Sequence, residues 1–183
     1  MIKDKDRSGW FGASDTDFVI AKNHNSKSYQ KWWLQKIGLD KSDFTNTAMV
    51  AGTNKEHQIL DYLDIPEKDK QVKIKKLRLR VNLDGNSIDT IYEVKTHKYT
   101  GKPFNVPIKY KRQVWVQMFA TGLRKAYIVA YAMKEEDYKN FFLPIDKTRL
   151  ELIPIEYDEK FITQTYLPAL ERLKGSMNKG EYP

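Results

Sequence analysis

The segment DGNSIDTIYEVK, from Asp84 to Lys95, holds the strongest structural signals in the chain. It opens on an Asp-Gly-Asn turn signal and continues into a run of β-branched and aromatic residues that is typical of a strand. Upstream, apolar residues from Leu77 to Leu83 alternate with basic or polar residues, and this period of two predicts a second strand. We expect the two strands to form an antiparallel hairpin whose turn begins at Asp84.

Two carboxylates and a lysine fall where such a hairpin can bring them together. Glu93 and Lys95 share one face of a strand, roughly 6.5 Å apart at the usual rise per residue, and Asp84 can lie next to Glu93 across the hairpin. Carboxylates hold the hard Mg²⁺ ion through oxygen, and bound metal polarises a phosphate for attack by water. A nearby lysine can position that water or neutralise the developing charge. The pattern therefore predicts metal-assisted phosphodiester hydrolysis.

Two alternatives to this interpretation stay open. Glu93 and Lys95 can form an ordinary exposed pair on a solvated strand face, since residues two apart on a strand often do. Asp89 is a rival for the aspartate, because it shares a face with Glu93 if the strand is regular.

The remaining periodicity predicts helices around a small sheet. Helices are expected at 17–21, 27–38, 47–63, 108–121 and 158–175, the last of them broken by Pro168. Strands are expected at 72–83, 88–96 and 126–133, with short edge strands at 141–143 and 151–154. A slip in the alternation near Lys75 and Lys76 is interpreted as a bulge. The prediction is an α/β fold, a single domain spanning 1–183 with a central mixed sheet flanked by helices.

Composition narrows the classes of function. Lysine and arginine outnumber aspartate and glutamate by 32 to 24, a net charge of +8 that favours a polyanionic partner. The chain has no cysteine, which excludes disulfides, thiolate zinc sites, iron–sulfur clusters and cysteine nucleophiles. No apolar run approaches the length of a membrane span and no signal-peptide core is present, so we expect no membrane contact and a cytoplasmic protein.

Four blocks of sequence resemble the phage exonucleases of the lambda exonuclease and YqaJ-type viral recombinase group, within the PD-(D/E)xK nuclease superfamily. The blocks are DRSGWFGASDTDFVIA at 6–21, AGTNKEHQILDYL at 51–63, LDG with YEVK at 83–95, and YKRQVWVQMFATGLRKAYIVAY at 110–131. They occur in the family's order and span nearly the whole chain. The resemblance implies the restriction-endonuclease-like fold of that superfamily.

The resemblance also assigns residues. It implies that Asp84, Glu93 and Lys95 are catalytic and that Gln113, in the glutamine motif of the fourth block, joins them. The metal ligands it implies are Glu56, Asp84, Glu93 and the peptide oxygen of Val94. It implies a pocket for the DNA 5′-phosphate at Arg7 and Ser14, although Ser14 has the alternative role of a helix cap. Further contacts with DNA are expected from Gln117, Lys76, Arg78 and Arg112.

Two positions depart from the family pattern. Leu83 stands where proline is usual, and Trp115 stands where the family has the second glutamine of its QVQ motif. If that glutamine contacts the site, Gln113 or Gln117 must take its place, and these two share one helix face because they are four residues apart.

By resemblance, the chain is expected to be a Mg²⁺-dependent exonuclease, with Mn²⁺ as the alternative ion, that degrades linear double-stranded DNA from 5′ to 3′ in phage recombination. Its implied partners are DNA ends, a single-strand annealing protein and further copies of itself in a ring. A structure-specific or restriction-like endonuclease is the first alternative. A basic DNA-binding protein without catalysis is the second.

Overall fold

A five-stranded mixed sheet lies at the centre of the protein, for which the computed structural model describes residues 6–40 and 47–183. The strands are β1 (Glu67–Ile74), β2 (Leu79–Asn86), β3 (Thr90–Lys98), β4 (Lys125–Met133) and β5 (Leu150–Pro154). They follow one another across the sheet in sequence order. Strands β3 and β4 are parallel and every other pair is antiparallel. The predicted α/β fold with a central mixed sheet is confirmed.

Helices cover both faces of this sheet. They are α1 (Thr16–Val19), α2 (Lys27–Lys36), α3 (Thr47–Tyr62), α4 (Ile108–Thr121), α5 (Glu135–Lys139), α6 (Glu159–Phe161) and α7 (Leu167–Lys179). Alternate side chains of β4 point to opposite faces, so Ile128 belongs to a core cluster that includes residues of α1, α2, α4 and α7. Tyr131 belongs to a second cluster, with residues of α3 and α5. Within residues 6–40 and 47–183, no helix combines the length and apolar character that crossing a membrane requires.

The chain reverses direction where the sequence predicted a bulge. Strands β1 and β2 pair along their length, with Val72 opposite Val81, and a 3-10 turn at Lys75–Leu77 joins them. Arg78 completes the reversal with a φ of 50°. The predicted bulge near Lys75 and Lys76 is therefore wrong, because the alternation changes parity at a tight turn between two strands.

The hairpin between β2 and β3 is confirmed, but its turn lies further along the chain. Asp84, Gly85 and Asn86 belong to β2, where Gly85 pairs with Tyr92, so the turn predicted at these three residues is wrong. The reversal comes after them, where the Ser87 N–H donates to the Thr90 carbonyl at 2.9 Å.

Most of the remaining predicted elements are present. Helix α2 begins as expected, with the Ser26 hydroxyl accepting the Tyr29 N–H at 3.3 Å, and Gly38 follows its end with a φ of 79°. The last helix is interrupted by a π-helical turn at Ile162–Tyr166, which ends two residues before Pro168. The expected edge strand at 151–154 is present in β5, whereas 141–143 forms a turn and the strand predicted there is wrong.

The contact between α3 and β2 depends on a glycine. A Cβ at Gly85 would lie 2.6 Å from Leu60 Cδ2 and 3.0 Å from Ile65 Cγ2, and Leu60 is fully buried. Since glycine has no side chain, α3 can pack directly on the strand that carries Asp84.

We expect Gly85→Ala to lower the free energy of unfolding by about 1–3 kcal/mol, because the added methyl group overpacks this contact. Gly175→Ala is the matched control, since a Cβ there meets nothing within 4 Å and alanine is the better helix former. Chemical denaturation measures both. Equal stability of Gly85→Ala and the wild type would show that α3 does not need the close approach.

Candidate active site

A cavity of about 360 Å³ opens between the amino-terminal segment, α3 and strands β1, β2 and β3. Its lining combines carboxylates with cations, which are called here the acidic wall and the basic wall. The acidic wall includes Glu56, Asp69, Asp84 and Glu93, and the basic wall includes Arg7, Lys36 and Arg80. The cavity can therefore receive a ligand that carries both negative charge and a bound cation.

Asp84 and Glu93 meet across the β2–β3 hairpin. The Asp84 carboxylate accepts the Val94 N–H at 2.8 Å. A side chain of β2 therefore accepts the hydrogen bond that a main-chain carbonyl would accept in a regular ladder. Glu93 is 1% exposed and lines the same cavity as Asp84 and Lys95. The structure thus brings together the three residues of the predicted catalytic group.

Three donors fix the carboxylate of Glu93. Lys95 Nζ and Gln113 Nε2 each lie 2.5 Å from Glu93 Oε1, and Gln117 Nε2 lies 2.6 Å from Glu93 Oε2. Burial of a carboxylate is costly unless hydrogen bonds compensate it. These contacts are what allow an acidic side chain to occupy the interior next to the cavity.

The two glutamines reach Glu93 because they lie one helical turn apart on α4. Trp115, between them, faces away from the site and donates its indole N–H to the Glu156 carbonyl at 2.7 Å. The departure from the family motif at Trp115 therefore leaves both glutamine contacts with Glu93 in place.

Gln117 lacks the solvent-exposed side chain that a contact with DNA requires. Its side chain is fully buried and also donates to the Asn82 carbonyl at 3.1 Å. A direct contact between Gln117 and DNA is incompatible with this burial. The Gln117 amide holds the Glu93 carboxylate from the side of α4.

Glu56 extends from α3 towards the other carboxylates. Burial, followed by the nearby charge of Glu93, raises the pKa of Glu56 to about 7. The pKa of Asp84 is raised well above its usual range by burial and by the charges of Glu93 and Glu56. The negative charge of Glu93 therefore makes the ionisation of both Glu56 and Asp84 more costly.

Lys95 offsets part of this negative charge. Burial alone would lower its pKa, but the carboxylates of Glu93 and Asp84 outweigh burial and raise it. Its ammonium nitrogen also lies 4.9 Å from the centre of the Tyr110 ring. Lys95 is therefore a cation in this arrangement, a group that donates hydrogen bonds and does not accept protons.

Asp69 belongs to the acidic wall and contacts His57, and sequence reasoning missed both residues. His57 Nε2 lies 3.1 Å from Asp69 Oδ2, and one ligand atom from each lies within 4.8 Å of a Glu56 oxygen. Counting along the β1–β2 register from Lys70 opposite Leu83 puts Asp69 opposite Asp84. A correct prediction of the β1–β2 hairpin would have placed Asp69 beside Asp84.

Arg7 and Ser14 lie in the basic half of the same cavity. Behind them, Arg80 donates to the Asp6 carbonyl at 2.5 Å, and Lys36 is paired with Asp15 at 2.5 Å. The Asp15 carboxylate also accepts the Gly12 N–H at 2.7 Å, so this residue, and not Ser14, satisfies the start of the first helical turn. The hydroxyl of Ser14 is not used as the expected helix cap.

The other cations expected to bind DNA do not line the cavity. Lys76 lies on the exposed β1–β2 turn, Arg78 bonds Asn178 at 3.0 Å, and Arg112 bonds Asp17 at 2.9 Å. Contacts from these three residues with a nucleic acid would have to be made outside the cavity. The rival aspartate Asp89 lies at the exposed β2–β3 turn and accepts the Thr90 hydroxyl at 2.7 Å, so it is not part of the site.

The acidic wall suits a hard divalent cation. Carboxylate oxygens are the ligands that such ions take, and Asp84, Glu93 and Glu56 provide them from three different elements. The pKa values of Asp84 and Glu56 are raised first by burial and then by the negative charge of Glu93, and a bound cation would offset both causes. The donor set of the cavity therefore fits a metal ion without any change in residue type.

Solved structures of exonucleases share this fold. An alkaline exonuclease, LHK-Exo from Laribacter hongkongensis, superposes with a TM-score of 0.65 at 22% identity, over 95% of this chain and 94% of that one. Its complex with dAMP gives a TM-score of 0.64 at 21% identity, over 95% and 94%. A phage-related exonuclease from Haemophilus somnus gives 0.66 at 11% identity, over 93% and 96%.

Matches by sequence are absent. No family model matches this chain. No curated protein matches it at a significant level. The likeness to the solved exonucleases is therefore one of fold.

We expect Glu56→Gln to stabilise the metal-free protein at pH 8, by on the order of 1–3 kcal/mol. Between the ordinary pKa of 4.5 and the folded value of about 7, the folded state keeps a proton that the unfolded chain has released. The contribution of Glu56 to stability therefore falls as pH rises through this window, and the substitution removes that loss.

The measurement is the free energy of unfolding in EDTA between pH 4.5 and 8, with Glu136→Gln, an exposed glutamate, as control. The advantage of Glu56→Gln should shrink towards pH 4.5. An advantage independent of pH would contradict the assignment of the raised pKa to Glu56.

Proposed function

We propose that this chain is a metal-dependent deoxyribonuclease, an exonuclease that removes nucleotides from the 5′ ends of linear double-stranded DNA. The nuclease domain spans residues 1–183. The observation that carries this proposal is the convergence of Asp84, Glu93 and Lys95 in one cavity that is also lined by Arg7, Lys36 and Arg80. A fold shared with solved exonucleases supports it.

The cofactor in this proposal is Mg²⁺, with Mn²⁺ as the alternative. Asp84, Glu93 and Glu56 hold it, together with the peptide oxygen of Val94, whose N–H already faces Asp84. When bound, the ion polarises the scissile phosphate, helps to ionise water and neutralises charge on the leaving oxygen. Gln113 and Gln117 keep the oxygens of Glu93 in place, so that the ligand geometry exists before the ion arrives.

The reaction is hydrolysis of the link between the first and second nucleotides. A water oxygen bonds to phosphorus, the bond from phosphorus to the 3′ oxygen breaks, and a proton reaches that oxygen. Lys95, held as a cation beside Glu93, donates hydrogen bonds to the water and to the phosphate oxygens. It thereby orients the attacking atom and stabilises the added negative charge.

The basic wall explains how a polyanion reaches an acidic site. Arg7 and Ser14 receive the terminal 5′-phosphate, with Arg80 and Lys36 contributing positive charge behind them. A bound divalent cation reverses the local sign of the acidic wall. The net charge of +8 attracts DNA without regard to its sequence.

We propose the biological role of the chain by analogy. By its resemblance to phage exonucleases, the chain acts in the cytoplasm of a host cell during DNA recombination. There it passes single strands to an annealing protein, and it assembles into a ring around the duplex.

Duplexes labelled at either the 5′ or the 3′ end, incubated with and without Mg²⁺, test the function directly. We expect 5′ label to be released first as mononucleotide, only with Mg²⁺, and closed circular DNA to survive. Release of 3′ label first contradicts the direction. Nicking of closed circles favours an endonuclease on the same fold, and salt-sensitive binding without any hydrolysis favours a basic DNA-binding protein.

Lys95→Ala should reduce the hydrolysis rate by at least about 100-fold, because it removes the donor that acts on water and phosphate. Binding of duplex DNA should change little, and Lys102→Ala, an exposed lysine outside the cavity, should leave both quantities unchanged. Single-turnover rates and DNA binding by anisotropy measure them. Retained hydrolysis in Lys95→Ala would remove the mechanism.

Arg7→Ala should abolish the preference for a 5′-phosphate over a 5′-hydroxyl end, since it removes a charge-assisted contact with that phosphate. The ratio of kcat/KM for the two duplexes measures the preference. Arg172→Ala, an exposed arginine on α7, serves as the control and should keep it. An unchanged ratio in Arg7→Ala would show that the phosphate binds elsewhere.

A further inference from the structure

Trp10 differs from the other tryptophans in its surroundings. Trp32 and Trp33 are buried in the core, and Trp115 packs on Phe161 with ring centres 5.1 Å apart. Trp10 is partly exposed and lines the cavity. In the part of the chain that the structure describes, it belongs to neither hydrophobic cluster. Its position is therefore not explained by the packing of the core.

The backbone holds Trp10 beside Arg7. The Trp10 N–H donates to the Arg7 carbonyl at 3.3 Å, with Gly9 between them at a φ of 72°. This is a β-turn, which brings its first and last Cα atoms within about 7 Å of each other. The indole ring and the guanidinium thus enter one cavity from two ends of a single turn.

The sheet anchors this turn. Phe11 is fully buried, and its N–H donates to the Arg78 carbonyl at 2.8 Å, while its carbonyl accepts the Arg80 N–H at 2.8 Å. A cation also lies near the ring, since Lys73 Nζ is 5.3 Å from the ring centre of Trp10. An aromatic surface flanked by cations and held on a fixed turn is the arrangement that binds a nucleotide through its base and its phosphate.

We infer that Trp10 is a substrate-binding residue that stacks on the base of the 5′-terminal nucleotide while Arg7 holds its phosphate. This rests on the proposed function and specifies how the same cavity recognises an end. Every base has an aromatic face, so stacking discriminates little between sequences. The cavity consequently distinguishes an end that carries a base from one that lacks it.

The test combines one change in the protein with one change in the DNA, as in a double-mutant cycle, and compares the resulting Kd values. Wild type and Trp10→Ala are each titrated with two 5′-phosphorylated duplexes, one with an ordinary terminal nucleotide and one whose terminal nucleotide is abasic. Phosphorothioate links at the end and Ca²⁺ in place of Mg²⁺ keep the DNA intact, and anisotropy gives the Kd. Trp10→Phe keeps an aromatic ring, and Phe142→Ala removes an aromatic side chain that is 88% exposed and outside the cavity.

We expect loss of the base to weaken binding to wild type roughly tenfold, and Trp10→Ala to bind both duplexes equally weakly. Trp10→Phe should retain most of the discrimination, and Phe142→Ala all of it. If removal of the base costs wild type and Trp10→Ala the same factor, the stacking role is overturned although the nuclease function stands. If wild type neither distinguishes 5′-phosphate from 5′-hydroxyl ends nor hydrolyses DNA, the proposed function fails and the stacking role fails with it.

Melting temperatures separate stacking from folding. Trp10→Ala should melt close to Trp10→Phe, because the ring is not part of the core. A fall confined to Trp10→Ala, together with loss of affinity for both duplexes and persistent discrimination between them, would assign Trp10 a structural role and overturn the inference.

Discussion

The hydrogen bond from the Val94 N–H to the Asp84 carboxylate is the contact on which the site depends. The β2–β3 ladder pairs Gly85 with Tyr92 and Asn86 with Ile91, and it stops there. In the next position a side chain of one strand bonds the main chain of the other. This brings a carboxylate of β2 against the carboxylate-bearing part of β3. The hairpin therefore provides both the cavity floor and the spacing between its acidic groups.

Two helices hold this floor from opposite faces of the sheet. On one side, α3 approaches β2 closely through Gly85 and brings Glu56 to the cavity. On the other side, α4 supplies Gln113 and Gln117 to the buried carboxylate of Glu93. The repulsion between the acidic groups is therefore sustained by packing and hydrogen bonds elsewhere, which is how native structures maintain costly functional arrangements.

The sequence predicted that Asp84, Glu93 and Lys95 lie together, because a strand period of two and a hairpin between neighbouring strands suffice to bring Asp84 near Glu93; their catalytic role stays a prediction. Asp69 was missed because a tight turn was interpreted as a bulge, and a strand slip of this kind changes every cross-strand neighbour. The burial of Gln117 could not be predicted, since a helix period shows which residues share a face but not which face is covered. The surroundings of Trp10 could not be predicted either, because they depend on contacts between its turn and β2, which is distant in the sequence.

Asp69, in the strand next to Asp84, marks a gap in the sheet. The β1–β2 ladder skips this residue, which lies in the left-handed region at a φ of 58°, and the β2–β3 ladder stops one residue short of Asp84. A chain with valine or threonine at Asp69 and Asp84 could complete both ladders and gain regular strand geometry. Such a chain would lose two of the four carboxylates that line the cavity. The irregular pairing of this part of the sheet thus accompanies its acidic side chains, and selection for regular strands alone would remove them.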